Sequence, residues 1–272
     1  MKVINRKLKG ILKKVYLKVV LPIIKDALEE NNDVLLRKTA RLITVAHLHQ
    51  TTFSQFKGCN AGKDVVVIGA GPTLNHFSPI KDCIYVGLNS AVLFPHVKYD
   101  YLFTIDKVGI SKIADEFANY DCVKFIGDQN LGPNWQISES QIAKMKGKVL
   151  RYKTDAGMYK ESQLVADIES QPLGNFNTVS LQALQFVLYT NPRRIYLVGI
   201  DCSNLGHFGN HDTISEYKNS LSSRGEELDA WAKYTIEAWQ SVREFVSMYY
   251  PDTEIISVNP VGLRGMFTDL DQ

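Results

Sequence analysis

The chain of 272 residues is long enough for one large α/β domain with an extension, and its 45% hydrophobic and 22% charged residues are typical of globular proteins. The net charge of +2 hides an asymmetry, because residues 1–25 hold eight basic residues and no acid. The remaining 23 basic and 29 acidic residues give residues 26–272 a charge of −6, which argues against nucleic-acid binding by the body. Four scattered cysteines without a CxxC pair make a disulfide framework or zinc site unlikely and favour the cytoplasm.

Residues 1–57 are predicted to form a basic, amphipathic helical extension. In residues 1–24, apolar residues recur at helical spacing between lysines, as in helices that lie on anionic membranes. The lysines interrupt any stretch long enough to cross a membrane, and no signal-peptide cleavage site follows. Two interpretations stay open: peripheral contact of residues 1–25 with the inner membrane, or packing on the domain or on a second copy in a homo-oligomer.

A sheet domain is predicted over residues 58–272, because apolar β-branched runs alternate there with helical stretches. The predicted strands are 65–68, 84–88, 101–104, 123–125, 149–152, 195–198 and 254–258, and the predicted helices are about 107–119, 136–146, 177–190 and 226–249. This alternation predicts a doubly wound, mostly parallel, Rossmann-like α/β sheet. Residues 202–225 are rich in Ser, Asn, Gly and His, which predicts a lid or loop.

The first predicted strand ends in a glycine turn, Gly69-Ala70-Gly71-Pro72-Thr73. Glycines can adopt positive φ and let the backbone approach a phosphate, so the turn predicts a ligand at the carboxyl edge of the sheet. Leu74 stands where the dinucleotide fingerprint has its third glycine, and the Gly-Lys-Ser/Thr of a Walker A loop is absent. NAD chemistry is therefore disfavoured, and an ordinary turn without ligand is the alternative.

Short polar residues follow other predicted strands, with Asn89 after the second, Asp106 after the third and Asp201 after the sixth. Carboxyl ends of parallel strands meet at one edge, so these groups are expected to surround one ligand. Each of them would also suit a helix cap or Asx turn. Asn177 and Thr178 open a predicted helix whose N–H groups would either hold a phosphate or carboxylate or simply be capped.

Two lid histidines, His207 and His211, are the candidate general bases. An imidazole with a pKa near 6.5 can take a proton from a hydroxyl at neutral pH. Metal binding by Asp201, His207 or Asp212 is the less favoured interpretation, so no metal site is predicted.

Three segments resemble the bacterial sialyltransferases of glycosyltransferase family 42 and the related 6-hydroxymethylpterin diphosphokinase-like group. They are Val-Ile-Gly-Ala-Gly-Pro-Thr-Leu at 67–74, Gly-Leu-Asn-Ser at 87–90 and Leu-Val-Gly-Ile-Asp at 197–201. The resemblance is patchy over residues 63–260. It implies a Rossmann-like variant of the GT-A fold in which residues 69–73 and Asn89 hold a CMP-linked sugar. Asp106 would face the sugar, and the Asn-Thr-Val-Ser segment at 177–180 would meet the nucleotide.

The sequence also departs from the sialyltransferase pattern. Ser203 and about His207–Phe208 stand where those enzymes have two tyrosines that hold the leaving phosphate, and no histidine follows His211 in the lid. His207 or His211 would therefore serve as the base, and the expected catalytic residues are Asp201, His207 and His211.

The resemblance implies a cytoplasmic glycosyltransferase, peripheral on the inner membrane, that needs no cofactor. It would transfer a sialic-acid-like sugar from a nucleotide-sugar donor to a glycan or lipid-linked acceptor during bacterial surface polysaccharide synthesis. The second hypothesis is a Mg²⁺-dependent diphosphotransferase acting on a pterin-like molecule, with Asp201 and Asp212 as metal ligands. The third is a non-catalytic nucleotide-binding protein.

Overall fold

The computed structural model describes residues 21–105, 107–128, 136–155, 162–176, 178–203, 206, 208 and 228–272. Asp106, Asn177, His207 and His211 lie outside these described residues, as do residues 1–20 and most of the proposed lid. The predictions that rest on them stay predictions. The chain divides into two compact units, Met1–Thr44 and Val45–Gln272.

The second unit is built on one parallel sheet, to which the described residues contribute eight strands. They are β1 (Asp64–Ile68), β2 (Cys83–Leu88), β3 (Tyr101–Thr104), β4 (Val123–Asp128), β5 (Val149–Lys153), β6 (Arg194–Val198), β7 (Glu254–Val258) and β8 (Thr268–Leu270). Their order is β5-β4-β3-β2-β1-β6-β7-β8, and every neighbouring pair is parallel. The predicted doubly wound α/β fold is confirmed. The prediction missed β8, a short and exposed edge strand whose Thr-Asp-Leu sequence has no apolar run.

The helices of the described residues differ in length from the prediction. They are α1 (Leu21–Phe53), α2 (Ala114–Asn119), α3 (Glu139–Ile142), α4 (Val179–Tyr189) and α5 (Leu228–Tyr249), with short 3₁₀ turns at Ser54–Phe56, Pro72–His76, Asn89–Leu93 and Val108–Ile110. The helices predicted at 107–119 and 136–146 were therefore too long. In the second, a capping box between Ser138 and Gln141 fixes the start of α3, which ends after one turn.

The last turns of α1 belong to the sheet unit, whereas the sequence pattern predicted that the sheet domain begins at residue 58. Phe53 is fully buried, and its ring stacks on Phe125 with 5.8 Å between centroids. The His49 ring bonds the Ile168 carbonyl through Nδ1 at 2.8 Å and accepts the Lys153 N–H through Nε2 at 2.7 Å. These contacts fix the end of α1 on β4 and β5.

Apolar side chains cover both faces of the sheet. One face packs against α4, α5 and the end of α1, and the other against α2 and the 3₁₀ turns that follow β1, β2 and β3. The loops between these layers therefore gather at the carboxyl ends of the strands, where a doubly wound sheet binds its ligands. Among the described residues, no helix combines the length and apolar character that crossing a membrane requires.

Candidate functional site

The strand order reverses between β1 and β6, which lie side by side at the centre of the sheet. From β1 the chain winds outward to β5, and it then returns beside β1 as β6 and winds the other way. In doubly wound sheets the carboxyl edge at such a point is where a ligand crevice usually forms. The glycine turn leaves β1 here, and Gly199-Ile200-Asp201 leaves β6.

The two turns are bonded to each other through their backbones. The Gly69 N–H donates to the Val198 carbonyl at 2.8 Å, and the Gly71 N–H donates to the Gly199 carbonyl at 2.7 Å. A Cβ on Gly69 would lie 2.5 Å from the Gly199 oxygen, and a Cβ on Gly71 would lie 2.5 Å from Asp201 Oδ2. Only glycine fits at either position.

This packing corrects the reason predicted for the two glycines. Gly71 has a φ of −67°, and Gly69 is not among the glycines with positive φ, so neither needs the left-handed region. Glycine is required because the β6 turn comes within contact of both Cα atoms, and phosphate binding at this turn stays a prediction.

Asp201 clamps the glycine turn. The Thr73 N–H donates to Asp201 Oδ2 at 3.0 Å, and the Thr73 hydroxyl donates to Oδ1. Asp201 is only 5% exposed, and its burial raises the pKa of the carboxyl while the bonds from Thr73 oppose the rise. The carboxylate therefore holds the β1 turn in position.

These contacts consume most of the N–H groups of the turn. Gly69, Gly71 and Thr73 donate within the protein, and Pro72 has no N–H. Ala70 is the turn residue whose N–H takes no part in these bonds, while its carbonyl accepts the Phe208 N–H at 2.7 Å. The turn can therefore form a wall of the crevice with few donors for a phosphate.

Asn89, predicted as a ligand group, carries an unused acceptor. It lies directly after β2 with a φ of +49°, and its amide packs so closely on Gly109 that a Cβ there would lie 2.7 Å from Asn89 Nδ2. Asn89 Oδ1 is buried and has no hydrogen-bond partner among the described residues. An unpaired buried carbonyl costs about 1–3 kcal/mol, so its retention favours a partner beyond those that the described residues supply.

Two further buried polar groups without hydrogen-bond partners among the described residues follow β6 and β7. Ser203 Oγ and Asn259 Nδ2 are both buried without partners in the described part of the chain. Asn259 has a φ of +47°, and its Oδ1 accepts the Gln272 N–H at 2.7 Å, which orients the amide. The sequence analysis missed Asn259, because the residue after the seventh predicted strand was not considered. The rule that predicted Asn89, a polar residue directly after a predicted strand, would also have predicted Asn259.

Cys202 lies between Asp201 and Ser203 but is not a reactive group. Burial raises the pKa of its thiol to about 12, so the thiol stays protonated at neutral pH. Its φ of +46° and the bond from the Gly262 N–H to the Asp201 carbonyl at 2.9 Å fix the chain after β6 against the chain after β7.

Thr178 caps α4, as one of the two interpretations predicted. Its hydroxyl accepts the Ser180 N–H at 3.4 Å. Further into α4, buried Gln182 accepts the Tyr152 hydroxyl at 3.1 Å and donates to the Asn175 carbonyl at 2.9 Å. The beginning of α4 is thereby tied to the end of β5, and ligand binding by Thr178 stays a prediction.

The described residues bring together part of the predicted site. Gly69, Gly71, Thr73 and Asp201 contact one another or the turn after β6, and Asn89 lies at the same edge of the sheet. No group of three or more His, Cys, Asp or Glu residues in the described part of the chain is placed to hold a metal ion.

No protein-family model matches the chain, and no curated protein matches it in sequence. Among solved structures it is similar to the MAf glycosyltransferase from Magnetospirillum magneticum AMB-1, with 11% identity and a TM-score of 0.45 over 84% of this chain and 38% of that one. It is also similar to thiamine pyrophosphokinase from Bacillus subtilis, with 13% identity and a TM-score of 0.22 over 59% of this chain and 55% of that one. The chain thus spans well under half the length of that glycosyltransferase, and its function has to be argued from the site itself.

Proposed function

We propose that the protein is a glycosyltransferase that binds a nucleotide-linked sugar at the carboxyl edge of the sheet, beside the packed β1 and β6 turns. One observation carries the proposal: Asn89 Oδ1, Ser203 Oγ and Asn259 Nδ2 are buried without partners in the described part of the chain, and they follow three strands at the same edge of the sheet. Native proteins pair nearly all such groups, so three of them at the ligand edge of a doubly wound sheet favour hydrogen bonds made to a ligand.

The chemistry of these groups favours a nucleoside. An amide oxygen, an amide nitrogen and a hydroxyl are uncharged, and they match the hydroxyls of a ribose and the edges of a base. The β1 turn offers few free donors, because its N–H groups bond the β6 turn and Asp201. The phosphate of the donor would therefore be held elsewhere, with the start of α4 as our candidate.

Sugar transfer needs a base that deprotonates the acceptor hydroxyl, and we assign this role to His207 in preference to His211. Phe208, the next residue along the chain, donates its N–H to the Ala70 carbonyl at 2.7 Å. Its ring packs edge-on against Phe94 with 5.8 Å between centroids. These contacts tie the chain beside His207 to the glycine turn.

Asp201 acts as a positioning residue in this proposal. Both of its oxygens accept hydrogen bonds from Thr73, so its effect on the reaction passes through the shape of the turn. The finer assignments come from the family resemblance: a CMP-linked, sialic-acid-like donor, a lipid-linked or glycan acceptor, and a place at the cytoplasmic face of the inner membrane. Asp106 and Asn177 would complete the donor site.

The test compares two serine variants. Ser203→Ala removes an unpaired hydroxyl at the sheet edge, and Ser257→Ala removes an unpaired buried hydroxyl within β7. Both should leave the melting temperature of the free protein nearly unchanged, because neither hydroxyl has a partner to lose. Only Ser203→Ala should weaken binding, by about 0.5–1.5 kcal/mol for one hydrogen bond.

Binding is measured by the shift in melting temperature with CMP, CDP, UDP, GDP and ATP, the last with and without Mg²⁺. A bound nucleotide at a hundredfold excess over its Kd stabilises the protein by about 2.7 kcal/mol. Release of free sugar from a CMP-linked donor, lost in His207→Ala, would support the transfer step. Stabilisation by ATP with Mg²⁺ alone, or an equal response of both serine variants, would contradict the proposal.

A further inference from the structure

The part of α1 that lies in the first unit carries most of the exposed large apolar side chains in the described residues. Seven of the eleven are on this helix between residues 21 and 43, each 43–66% exposed. They are Leu21, Leu28, Val34, Leu35, Leu36, Leu42 and Ile43. A surface helix that leaves so much apolar area in solvent is typical of an interaction site.

The spacing of these side chains is that of a helix–helix interface. Leu21, Leu28, Leu35 and Leu42 recur at intervals of seven and form one line along the helix. Leu36 and Ile43 widen this line on one side, at positions one residue further along. The resulting stripe is wide enough to receive the ridge of a second helix.

The charges on the same helix are separated along its length. The four acids Asp26, Glu29, Glu30 and Asp33 come first along the helix, and the three bases Arg37, Lys38 and Arg41 follow them. With Lys25, residues 21–44 hold four basic and four acidic residues and are neutral overall. A neutral segment lacks the basic excess that draws an amphipathic helix to anionic lipid.

We propose that this stripe docks against the same stripe of a second copy of the chain, with the two α1 helices antiparallel. In that orientation the acidic half of each helix lies beside the basic half of the other, and the leucines meet between them. A parallel pair would instead place acid beside acid and base beside base. A two-fold axis across the pair lets one patch serve both subunits.

The mass of the full-length chain in solution, measured by light scattering after gel filtration, tests the pairing. We expect a dimer, and Leu28→Asp combined with Leu35→Asp should convert it to a monomer. Met248→Asp is the matched control, because Met248 is the most exposed large apolar residue described outside α1, at 71%, and should leave the dimer intact. A monomeric wild type, or equal effects of the leucine and methionine variants, would overturn the proposal.

Salt distinguishes the two orientations. Raising ionic strength from 0.1 M to 1 M shortens the screening length from about 10 Å to about 3 Å. It should weaken an antiparallel dimer, raising its Kd by about tenfold, whereas a parallel dimer would become tighter. A tighter dimer at high salt would overturn the antiparallel assignment.

Charge reversal gives a second, independent test. Replacing the four acids with lysine makes α1 uniformly basic and should weaken the dimer, as should replacing the three bases with glutamate. Combining both sets restores complementary halves and should restore the dimer, with helix content checked by circular dichroism in each variant. Failure of the combined variant to dimerise, while its helix content is unchanged, would overturn the proposal.

Sedimentation with vesicles that contain an anionic lipid tests the other candidate occupant of the stripe, which is a membrane surface. A full-length chain that stays monomeric and sediments with these vesicles, and loses that binding in the double leucine variant, would assign the stripe to a membrane. Such a result would overturn self-pairing and leave the proposed glycosyl transfer untouched, because the nucleotide-binding test uses neither lipid nor dimer.

Discussion

Gly71→Ala is the most direct test of how the β1 and β6 turns fit together. The new Cβ would lie 2.5 Å from Asp201 Oδ2 and 2.6 Å from the Gly199 oxygen, whereas ordinary contacts begin at 3.4 Å. The turns would have to separate by about 0.9 Å, taken as the difference between 3.4 and 2.5 Å. Both neighbours are held by the sheet, so the separation is expected to break bonds instead of moving a flexible side chain.

The expected loss of stability follows from the hydrogen bonds that join the two turns at this contact. They are the Gly71 N–H to the Gly199 carbonyl and the two bonds from Thr73 to Asp201. A neutral hydrogen bond contributes about 1 kcal/mol and one to a charged group about 1.5–3 kcal/mol, so partial loss of the three costs about 2–4 kcal/mol. Alanine offsets about 0.4–1 kcal/mol through the entropy of the unfolded chain, because the φ of −67° suits it. The free energy of unfolding should therefore fall by about 1–3.5 kcal/mol, the difference between these two effects.

The assay is urea unfolding followed by circular dichroism, with the melting temperature as a check. For a domain of this size the melting temperature should fall by about 2–14 °C. Gly58→Ala is the control, since Gly58 has a φ of +64° and nothing within 4 Å of an added Cβ. It should lose about 1–2 kcal/mol from backbone strain alone. A Gly71→Ala protein as stable as the wild type would refute the close packing of the two turns.

Three further substitutions test other contacts of the sheet unit. Burial lowers the pKa of His49 below its ordinary 6.5. The unfolded chain therefore binds the proton first as the pH drops, and the free energy of unfolding should fall below pH 6.5. His49→Gln should flatten this pH dependence, measured by urea unfolding between pH 7 and 5. Thr73→Val removes a donor from the Asp201 carboxylate and should lower stability at pH 7 by about 1–3 kcal/mol. The loss should shrink at acidic pH, where Asp201 is protonated, and an equal loss in an Asp201→Asn background would contradict the clamp. Lys124→Met removes the buried ammonium that donates to two backbone carbonyls, and it should lower the free energy of unfolding by about 1–3 kcal/mol. The control Lys148→Met, at an exposed position, should lower it by under about 0.5 kcal/mol. Equal melting temperatures of the two variants would contradict this role of Lys124.

Much of the fold and part of the site could be predicted from local patterns. The strands at Tyr101–Thr104 and Glu254–Val258 have the predicted bounds, because runs of apolar and β-branched residues specify buried strands without reference to the rest of the chain. A similar local rule, a polar residue within three positions after a strand, predicted Asn89 and Asp201. It gave no role to Ser203, because whether a buried hydroxyl lacks a partner depends on residues far away in the sequence.

The sequence by itself determined a parallel α/β sheet, a glycine turn after its first strand, and a helical extension with an apolar stripe. These features follow from continuous apolar β-branched runs, from the helical period of 3.6 residues and from the small size of glycine. Only the tertiary structure decided that β6, which begins 130 positions after β1, lies beside it. That placement brings Gly199 and Asp201 against Gly69 and Gly71, so the two turns form a closely bonded pair. Pairing between distant strands is set by the packing of the whole core, which no local pattern contains.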